Sequence, residues 1–163
     1  MNLEGIFDLF YNKIYSFTLL RVGNVHDAED IVSDVFVRVA EKLDTYDPDK
    51  GAFSTWIFTI ALNEIRMYFR DRKNNCSLEN IAEIADKIDI EEEFIRREDY
   101  ARLYEAIGKL DDNQKNVVLL KYFGGLTNIK IAEVLGLSES GAGVILHRAK
   151  NILRKSLLSL FLL

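Results

Sequence analysis

Apolar residues recur every three or four positions along most of the chain, and this period predicts a series of amphipathic α-helices. The first predicted helix spans residues 6–22, and Gly23 is placed to end it in the left-handed conformation. Its inward side is predicted to consist of Ile6, Leu9, Phe10, Ile14, Phe17 and Leu20. Asn24 is predicted to cap a second helix that runs to about Leu43, because its side chain can accept a bond from a free backbone N–H.

A turn-forming stretch, DTYDPDKG at residues 44–51, separates the second helix from a third. Ser54 is predicted to cap this third helix, which runs from Thr55 to about Arg72. Its apolar side is predicted to contain Trp56, Ile57, Ile60, Ala61, Ile65 and Phe69, and its opposite side is polar and basic.

Two shorter helices are predicted after residue 96, at Arg97–Gly108 and Asn113–Phe123. Either Asp111 or Asp112 can cap the second of these. Its core side is predicted to contain Val117, Val118, Leu120 and Tyr122.

The segment Leu126–Leu153 has the spacing of a helix-turn-helix. The small side chain of Ala132 allows two helices to cross closely, Gly136 suits the tight turn, and Ser138 can cap the last helix. In such a motif the second helix lies in the DNA major groove. A helical hairpin that only packs, without binding DNA, is the alternative interpretation.

The composition favours a protein built of helices alone. The chain has 163 residues, 48% of them apolar, with Pro48 as its single proline, and no stretch shows the alternation of a β-strand. Cys76 is the single cysteine and there are two histidines, so neither an intrachain disulfide nor a metal site is predicted, and no cofactor is implied. The first residues lack the pattern of a signal peptide, and no apolar run approaches the length of a membrane span. A reducing, cytoplasmic location is therefore expected.

The charge is distributed unevenly along the chain. The net charge is −5, yet the segment Glu79–Asp99 alone carries nine acids and three bases, so the remainder is close to neutral. The predicted organisation is all-α: a helical domain at residues 1–75, an acidic flexible linker at 76–98 and a helix-turn-helix domain at 99–163. Local basic patches lie in both domains, near Arg70 and near Arg154.

The third helix combines aromatic and basic residues in a way that suits single-stranded nucleic acid. Phe53, Trp56 and Phe69 lie beside Arg66 and Arg70 along this stretch. Cations follow a phosphate backbone, and aromatic rings stack on unpaired bases. The alternative is that Phe53 and Trp56 are ordinary core residues, which is the commoner fate of large aromatics at helical spacing. On the pattern alone, the polar face of the second helix is best explained as a solvated, charged surface.

Two segments together resemble a known family. Residues 26–73 resemble the core-binding and promoter-melting region of bacterial RNA polymerase sigma factors, and residues 110–157 resemble their C-terminal helix-turn-helix. The order of the segments, the acidic linker and the small size are similar to the two-domain extracytoplasmic-function group. The resemblance covers roughly Phe7–Leu157, and it implies binding to core RNA polymerase through the β′ clamp helices and the β flap, binding to promoter DNA, and regulation by an anti-sigma factor.

The resemblance also assigns roles to individual positions. The face implied to dock on the β′ clamp helices consists of Asp30, Ser33, Asp34, Val37 and Arg38. The residues implied to act on the melted promoter strand are Tyr46, Lys50, Phe53, Trp56, Asn63, Arg66 and Arg70. Asn63 is the best candidate for reading a base edge, since an amide offers both a donor and an acceptor. The residues implied near the upstream DNA element are Thr127, Ser138, Glu139, Ser140, Gly143, His147, Arg148 and Lys150.

The predicted recognition helix departs from the family pattern at two positions. Gly143 stands where a lysine is common, and Ile145 stands where an arginine is common. Upstream recognition is therefore expected to be weak, with Ile145 limited to an apolar contact such as a thymine methyl group.

The predicted function is that of a sigma factor that opens promoters by capturing unpaired bases, without an active site of its own. One alternative is a helix-turn-helix repressor that binds duplex DNA, which leaves the aromatic and basic third helix unexplained. A second alternative is a sigma-like interaction protein that contacts upstream DNA poorly.

Overall fold

The computed structural model describes residues 2–72 and 97–161, with the side chains of 97–101 and 158–161 left out of the description. Within these ranges every regular element is helical. The elements are α1 (Leu3–Val22), α2 (Val25–Lys42), a 3₁₀ turn (Leu43–Thr45), α3 (Phe53–Asp71), α4 (Arg97–Gly108), α5 (Asp112–Tyr122), α6 (Asn128–Leu135) and α7 (Glu139–Phe161). The all-α prediction is confirmed, whereas most of the predicted linker lies outside the described residues.

Helix ends follow the local chemistry of the chain at most of the predicted positions. Gly23 ends α1 with φ 69°, and the Asn24 side chain accepts from the backbone N–H of Asp27 to begin α2. Asp111 forms a reciprocal capping box with Gln114 at the start of α5. The prediction that Ser54 caps the third helix was wrong: α3 begins at Phe53, and its N-cap is Ala52, which makes no side-chain hydrogen bond.

The first three helices pack together as one lobe, here called the first lobe. Helix α2 lies against both α1 and α3, and α1 also contacts α3. The interior is filled by side chains such as Phe17, Ile57, Phe58 and Leu62, each at most 1% exposed. Helix α2 buries one stripe, which includes Ala28, Ile31, Val32, Val35 and Val39. Leu9 of α1, which was predicted to be inward, is 63% exposed. Its neighbour Phe10 fills the space towards Phe53 instead, with ring centroids 5.5 Å apart.

Helices α4 to α7 form a second lobe around the long last helix. Helix α7 contacts α4, α5 and α6, and the buried residues Val117, Leu119, Leu146 and Ala149 lie at its centre. Tyr122, predicted to be inward, is 55% exposed, because the turn of α5 directs Val118 and Leu119 to the core in its place.

The two lobes contact each other, and their buried apolar residues form one continuous cluster. Helix α3 packs against α6, and α1 packs against α5. Helix α3 is therefore covered on one side by its own lobe and on another side by the second lobe.

Candidate polymerase and nucleic-acid interfaces

The outer face of α2 presents acidic and apolar side chains to solvent. Asp30, Ser33 and Asp34 are exposed, and Val37 is 53% exposed. These four residues share one face because α2 buries the opposite stripe, from Ala28 to Val39. The structure therefore brings the predicted docking residues together on an accessible surface.

Arg38, the fifth residue of that predicted face, has a structural partner. Its guanidinium forms an ion pair with Glu64 of α3, whose side chain is only 8% exposed. A buried carboxylate needs such a partner, because an isolated buried charge is strongly unfavourable. Sequence reasoning missed Glu64, although a single acid within the apolar stripe of a helix is a signal for a buried ion pair.

A second polar connection joins the start of α2 to the end of α3. The carboxylate of Asp27 accepts from the Tyr68 hydroxyl at 2.8 Å and from the Arg72 guanidinium at 2.7 Å. Arg72 also lies over the Tyr68 ring, 5.3 Å from its centroid. Burial, together with the bond to Asp27, raises the pKa of Tyr68 to about 12. Arg72, which belongs to a predicted basic patch, thus has a role in holding α2 against α3.

The loop before α3 and the first turns of α3 form a pocket with an aromatic wall. Tyr46, Phe53 and Trp56 contact one another, with ring centroids 5.0 to 5.4 Å apart. The Tyr46 hydroxyl donates to the carbonyl oxygen of Gly51 at 3.0 Å and so closes the loop. The resulting cavity of about 280 Å³ is bordered by Lys50 and Trp56 and, from the second lobe, by Glu133.

The aromatic residues of this pocket differ in their exposure. Phe53 is 8% exposed and packs against Phe10 and Tyr46, so the core interpretation holds for this ring. Trp56 is only partly buried and lines the pocket. Trp56 and Tyr46 are therefore the rings of this group that are placed to contact a ligand.

Further along α3, a polar strip faces solvent. Asn63, Arg66 and Arg70 are exposed and lie on one side of the helix at intervals of three and four residues. Arg70 is close to Asp71, with Nε and Oδ1 3.5 Å apart, in an exposed pair that adds little stability. The structure thus places one amide and two cations in a row that starts near the aromatic pocket.

The helix-turn-helix has the predicted local structure. Thr127 caps α6, and Gly136 ends it with φ 67°. The Ser138 hydroxyl accepts from the backbone N–H of Gly141 at 3.0 Å, which caps α7. A Cβ at Gly141 would lie 2.9 Å from that hydroxyl oxygen, so the glycine keeps room for the cap.

The outward side of α7 carries the predicted DNA-contacting residues. Ser138, Glu139, Ser140, His147, Arg148 and Lys150 are exposed. A Cβ at Gly143 would have no neighbour within 4 Å, so this position faces open space. Ile145 is partly buried against the core, which removes it from the expected contact with a thymine methyl group. Val144, which sequence reasoning missed, is 48% exposed on the outward side and is the apolar side chain available there.

An apolar groove runs along the outside of the second lobe. Its volume is about 650 Å³, and its lining consists of Leu103, Ile107, Val118, Tyr122, Phe123, Lys150, Leu153, Arg154 and Leu157. At the edge of this groove, the Lys150 ammonium lies 5.8 Å from the centroid of the Tyr122 ring. No helix in the described part of the chain meets the length and hydropathy needed to cross a membrane.

Each of the two lobes matches a known family model. Residues 6–75 match the model of sigma-70 region 2, and residues 100–153 match the model of sigma-70 region 4. The chain is 32% identical over 165 residues to the ECF RNA polymerase sigma factor SigW of Bacillus subtilis, with 93% of this chain and 87% of the relative covered. It is also 32% identical over 134 residues to the RNA polymerase sigma factor CnrH of Cupriavidus metallidurans, covering 76% of this chain and 70% of the relative.

Solved structures show the same arrangement of helices. CnrH in complex with the cytosolic domain of CnrY superposes with a TM-score of 0.73 at 26% identity, over 96% of this chain and 88% of that chain. The sigma factor RpoE of Bartonella quintana, in complex with the anti-sigma factor NepR, gives a TM-score of 0.74 at 21% identity, over 94% and 95% of the two chains. At 21% identity, the likeness to RpoE shows a shared fold and no more.

Proposed function

The chain belongs to the sigma-70 family of bacterial RNA polymerase sigma factors, in its extracytoplasmic-function group, and we propose how its surfaces divide the work of initiation. The acidic face of α2 docks on the β′ clamp helices of core polymerase. The pocket at Tyr46 and Trp56 captures an unpaired base of the melted strand. The chain itself performs no catalysis, which stays with the polymerase.

The single observation that carries this proposal is the continuity of the aromatic pocket with the polar strip of α3. Trp56 offers a ring for stacking, Asn63 offers an amide that can bond to a base edge, and Arg66 and Arg70 can hold phosphates. These groups lie along one helix, as a single strand of nucleic acid would require.

The second lobe is proposed to bind duplex DNA through the outward side of α7. A good bidentate contact to a base contributes about 1–3 kcal/mol of discrimination. Gly143 has no side chain and Val144 is apolar, so the polar groups that remain near the helix start are Ser138, Glu139 and Ser140. Upstream binding should therefore depend chiefly on phosphate contacts from Arg148 and Lys150, and on salt concentration.

Two further partners follow from the surfaces and from the relatives. The apolar groove beside Tyr122 is proposed to receive the β flap, because its lining is apolar with cations at the rim. An anti-sigma factor is proposed as a regulator, since RpoE forms a complex with the anti-sigma factor NepR and CnrH forms a complex with the cytosolic domain of CnrY. We place this activity in the cytoplasm, where polymerase meets the chromosome.

The test is run-off transcription with purified core polymerase, followed by mapping of the start sites. The proposal requires specific initiation that depends on this chain. Duplex binding without any support of initiation would favour the helix-turn-helix repressor instead. Preference for a single-stranded promoter fragment over the duplex would separate the two before any polymerase is added.

A further inference from the structure

The end of α1 carries a guanidinium that the described part of the chain leaves incompletely paired. The Arg21 side chain is 6% exposed and lies over the Phe69 ring, 5.1 Å from its centroid. Its ion pair is with Asp112 of α5, with Nη1 3.7 Å from Oδ1, which is too long for a good hydrogen bond. Its Nε has no hydrogen-bond partner among the described residues. A buried cation without a well-bonded counter-charge is unfavourable, so this guanidinium has capacity for a further anion.

A recess of about 300 Å³ opens beside this guanidinium. It is lined by Arg21, Arg66, Phe69, Asp112, Asn113 and Asn116. Burial lowers the pKa of Arg21, the charge of Asp112 raises it, and the like charge of Arg66 lowers it again. The Asp112 side chain is 84% exposed, so water screens its charge. The recess therefore holds two guanidinium groups against one solvated carboxylate.

The start of α5 adds two further features that suit an anion. Asp112 and Asn113 are the first residues of α5, where free backbone N–H groups and the positive end of the helix dipole favour negative charge. One turn later, Asn116 is 4% exposed, and its Oδ1 has no hydrogen-bond partner in the described ranges. A buried acceptor of this kind needs a donor. A phosphate that keeps one proton offers both, since its oxygens accept from guanidinium groups and its hydroxyl donates.

A second recess, of about 460 Å³, shares Arg21 and adds two lysines. Its charged lining consists of Arg21, Lys109, Lys115 and Glu105. Across the two recesses four cations therefore face two acids, Asp112 and Glu105. Clefts lined by an excess of one sign of charge concentrate ions of the opposite sign. The surroundings of Arg21 thus attract anions from solution.

We propose that the recess at Arg21 binds free phosphate or the terminal phosphoryl group of a small molecule. The guanidinium groups of Arg21 and Arg66 hold its oxygens, because the planar fork of arginine matches phosphate geometry. Asn116 accepts from its hydroxyl. A phosphate within a DNA strand carries a sugar on both sides, which a recess with so little of Arg21 exposed does not admit. The site is separate from the pocket at Tyr46 and Trp56, and the inference does not depend on base capture there.

The experiment titrates the full chain with inorganic phosphate at constant ionic strength, with chloride as the anion that phosphate replaces. The Nε–H signals of the arginine side chains are followed by NMR, and the signal missing from Arg21→Met identifies Arg21. We expect this signal to shift with saturation. The melting temperature should rise with phosphate concentration, because a ligand of the folded state stabilises it. A nucleoside monophosphate should shift the same signal, and a single-stranded oligonucleotide without a terminal phosphate should not.

Three variants, compared by calorimetric titration with phosphate, test the assigned residues. Arg21→Met should weaken phosphate affinity by at least about tenfold, since it removes charge-assisted hydrogen bonds. Asp112→Asn removes the competing carboxylate of the recess and should tighten binding by about threefold. Lys42→Met, at an exposed cation of α2 outside both recesses, is the matched control for the loss of one positive charge and should leave the affinity unchanged.

The contradicting outcomes differ from one another. An Arg21 signal that stays in place, or that moves in proportion to phosphate without saturation, would overturn the site. Equal affinities of Arg21→Met and Lys42→Met would show a diffuse effect of charge and overturn it as well. If Arg21→Met does not fold, Asp112→Asn decides, because unchanged or weaker binding in that variant contradicts the proposal. A shift of the Arg21 signal by the oligonucleotide would assign the recess to the promoter strand and overturn the small-molecule ligand.

Discussion

At the scale of single residues, the structure gives several polar side chains a partner that determines what they can do. Arg38 is paired with the buried Glu64, and Arg72 with Asp27. By contrast, Asn63, on the same helix as Glu64, is exposed to solvent and is accessible to a ligand. Partners inside the fold thus separate residues that hold the helices together from residues available for binding.

The contact of Tyr68 with Asp27 has a consequence for stability at high pH. The pKa of Tyr68 is raised to about 12, above its ordinary value of 10.0. A raised pKa means that the neutral phenol is favoured in the folded state, so its contribution is complete below about pH 10 and is lost as the pH rises through about 12. Ultraviolet titration should show a tyrosine component that ionises near pH 12, and Tyr68→Phe should remove that component.

Asp27→Asn tests the same contact at neutral pH. The change weakens two charge-assisted hydrogen bonds, and we expect a loss of about 1–3 kcal/mol in the free energy of unfolding. Urea denaturation measures the free energy of unfolding of this variant. Glu29→Gln, which removes the same charge at an exposed site of α2, is the control. Equal stability of the two variants would show that Asp27 contributes no more than a surface acid.

Asn63→Ala tests base reading. We expect open-complex formation to fall much more than binding to the closed duplex promoter, because the amide faces unpaired bases only after melting. Permanganate footprinting and gel-shift measurements separate the two steps. An equal fall in both would mean that Asn63 acts on the protein rather than on a base.

At the scale of elements, α2 offers an acidic face that the rest of the fold does not need. Asp30 and Asp34 are exposed and lie opposite the buried stripe of the helix. Asp30→Arg or Asp34→Arg should therefore weaken binding to core polymerase while the helical content measured by circular dichroism stays native. Glu29→Arg, at an exposed acid that lies about 100° around α2 from Asp30, is the control. Native affinity in both aspartate variants would refute the docking face.

At Gly143 of helix α7, an added cation is expected to strengthen binding to upstream duplex DNA. A Cβ at Gly143 would have no neighbour within 4 Å, so the side chain of Gly143→Lys should be accommodated. The new lysine should add one phosphate contact. The slope of log binding constant against log salt concentration for duplex DNA should then steepen by about 1. Scrambling the upstream element should reduce transcription by the wild type only slightly. A large loss on scrambling would show that specificity is retained by another route.

The elements themselves were largely predictable from the sequence. Capping residues such as Asn24, and glycines such as Gly23 and Gly136, act within a few residues of their own position, so their effect can be read locally. The start of α3 was misplaced because Phe53 belongs to the helix through its packing with Phe10 and Tyr46, which is not a local signal. The exposure of Leu9 and the partial burial of Ile145 likewise depend on neighbours distant in sequence.

At the scale of the whole molecule, the contact between the lobes is what sequence reasoning did not anticipate. Glu133 has no feature in the sequence that connects it with Thr55, 78 positions earlier. The hydrogen bond between Thr55 and Glu133 forms because α6 packs against α3 in the folded chain. Periodicity predicts which side of a helix is buried, but not which distant helix buries it.

The interface between the lobes predicts an unusual response to removal of a charge. Arg21→Met keeps an unbranched side chain against Phe69 and removes a buried, incompletely bonded cation. Replacing a buried charge by an apolar group of similar shape is often neutral or stabilising. We therefore expect the melting temperature of the full chain to be unchanged or higher in calorimetry. A loss in the free energy of unfolding comparable to that of a core truncation, about 2–5 kcal/mol, would show that the ion pair with Asp112 stabilises the fold.

The empty surroundings of Gly143 have a consequence for how the promoter repertoire of such a protein can diverge. A glycine inside a helix is less stable than alanine by about 1 kcal/mol, and nothing in the fold requires it at this place. Random mutation followed by selection for stability alone would replace it. One codon change at this position would alter the side chain that α7 offers to upstream DNA without any compensating change in the fold.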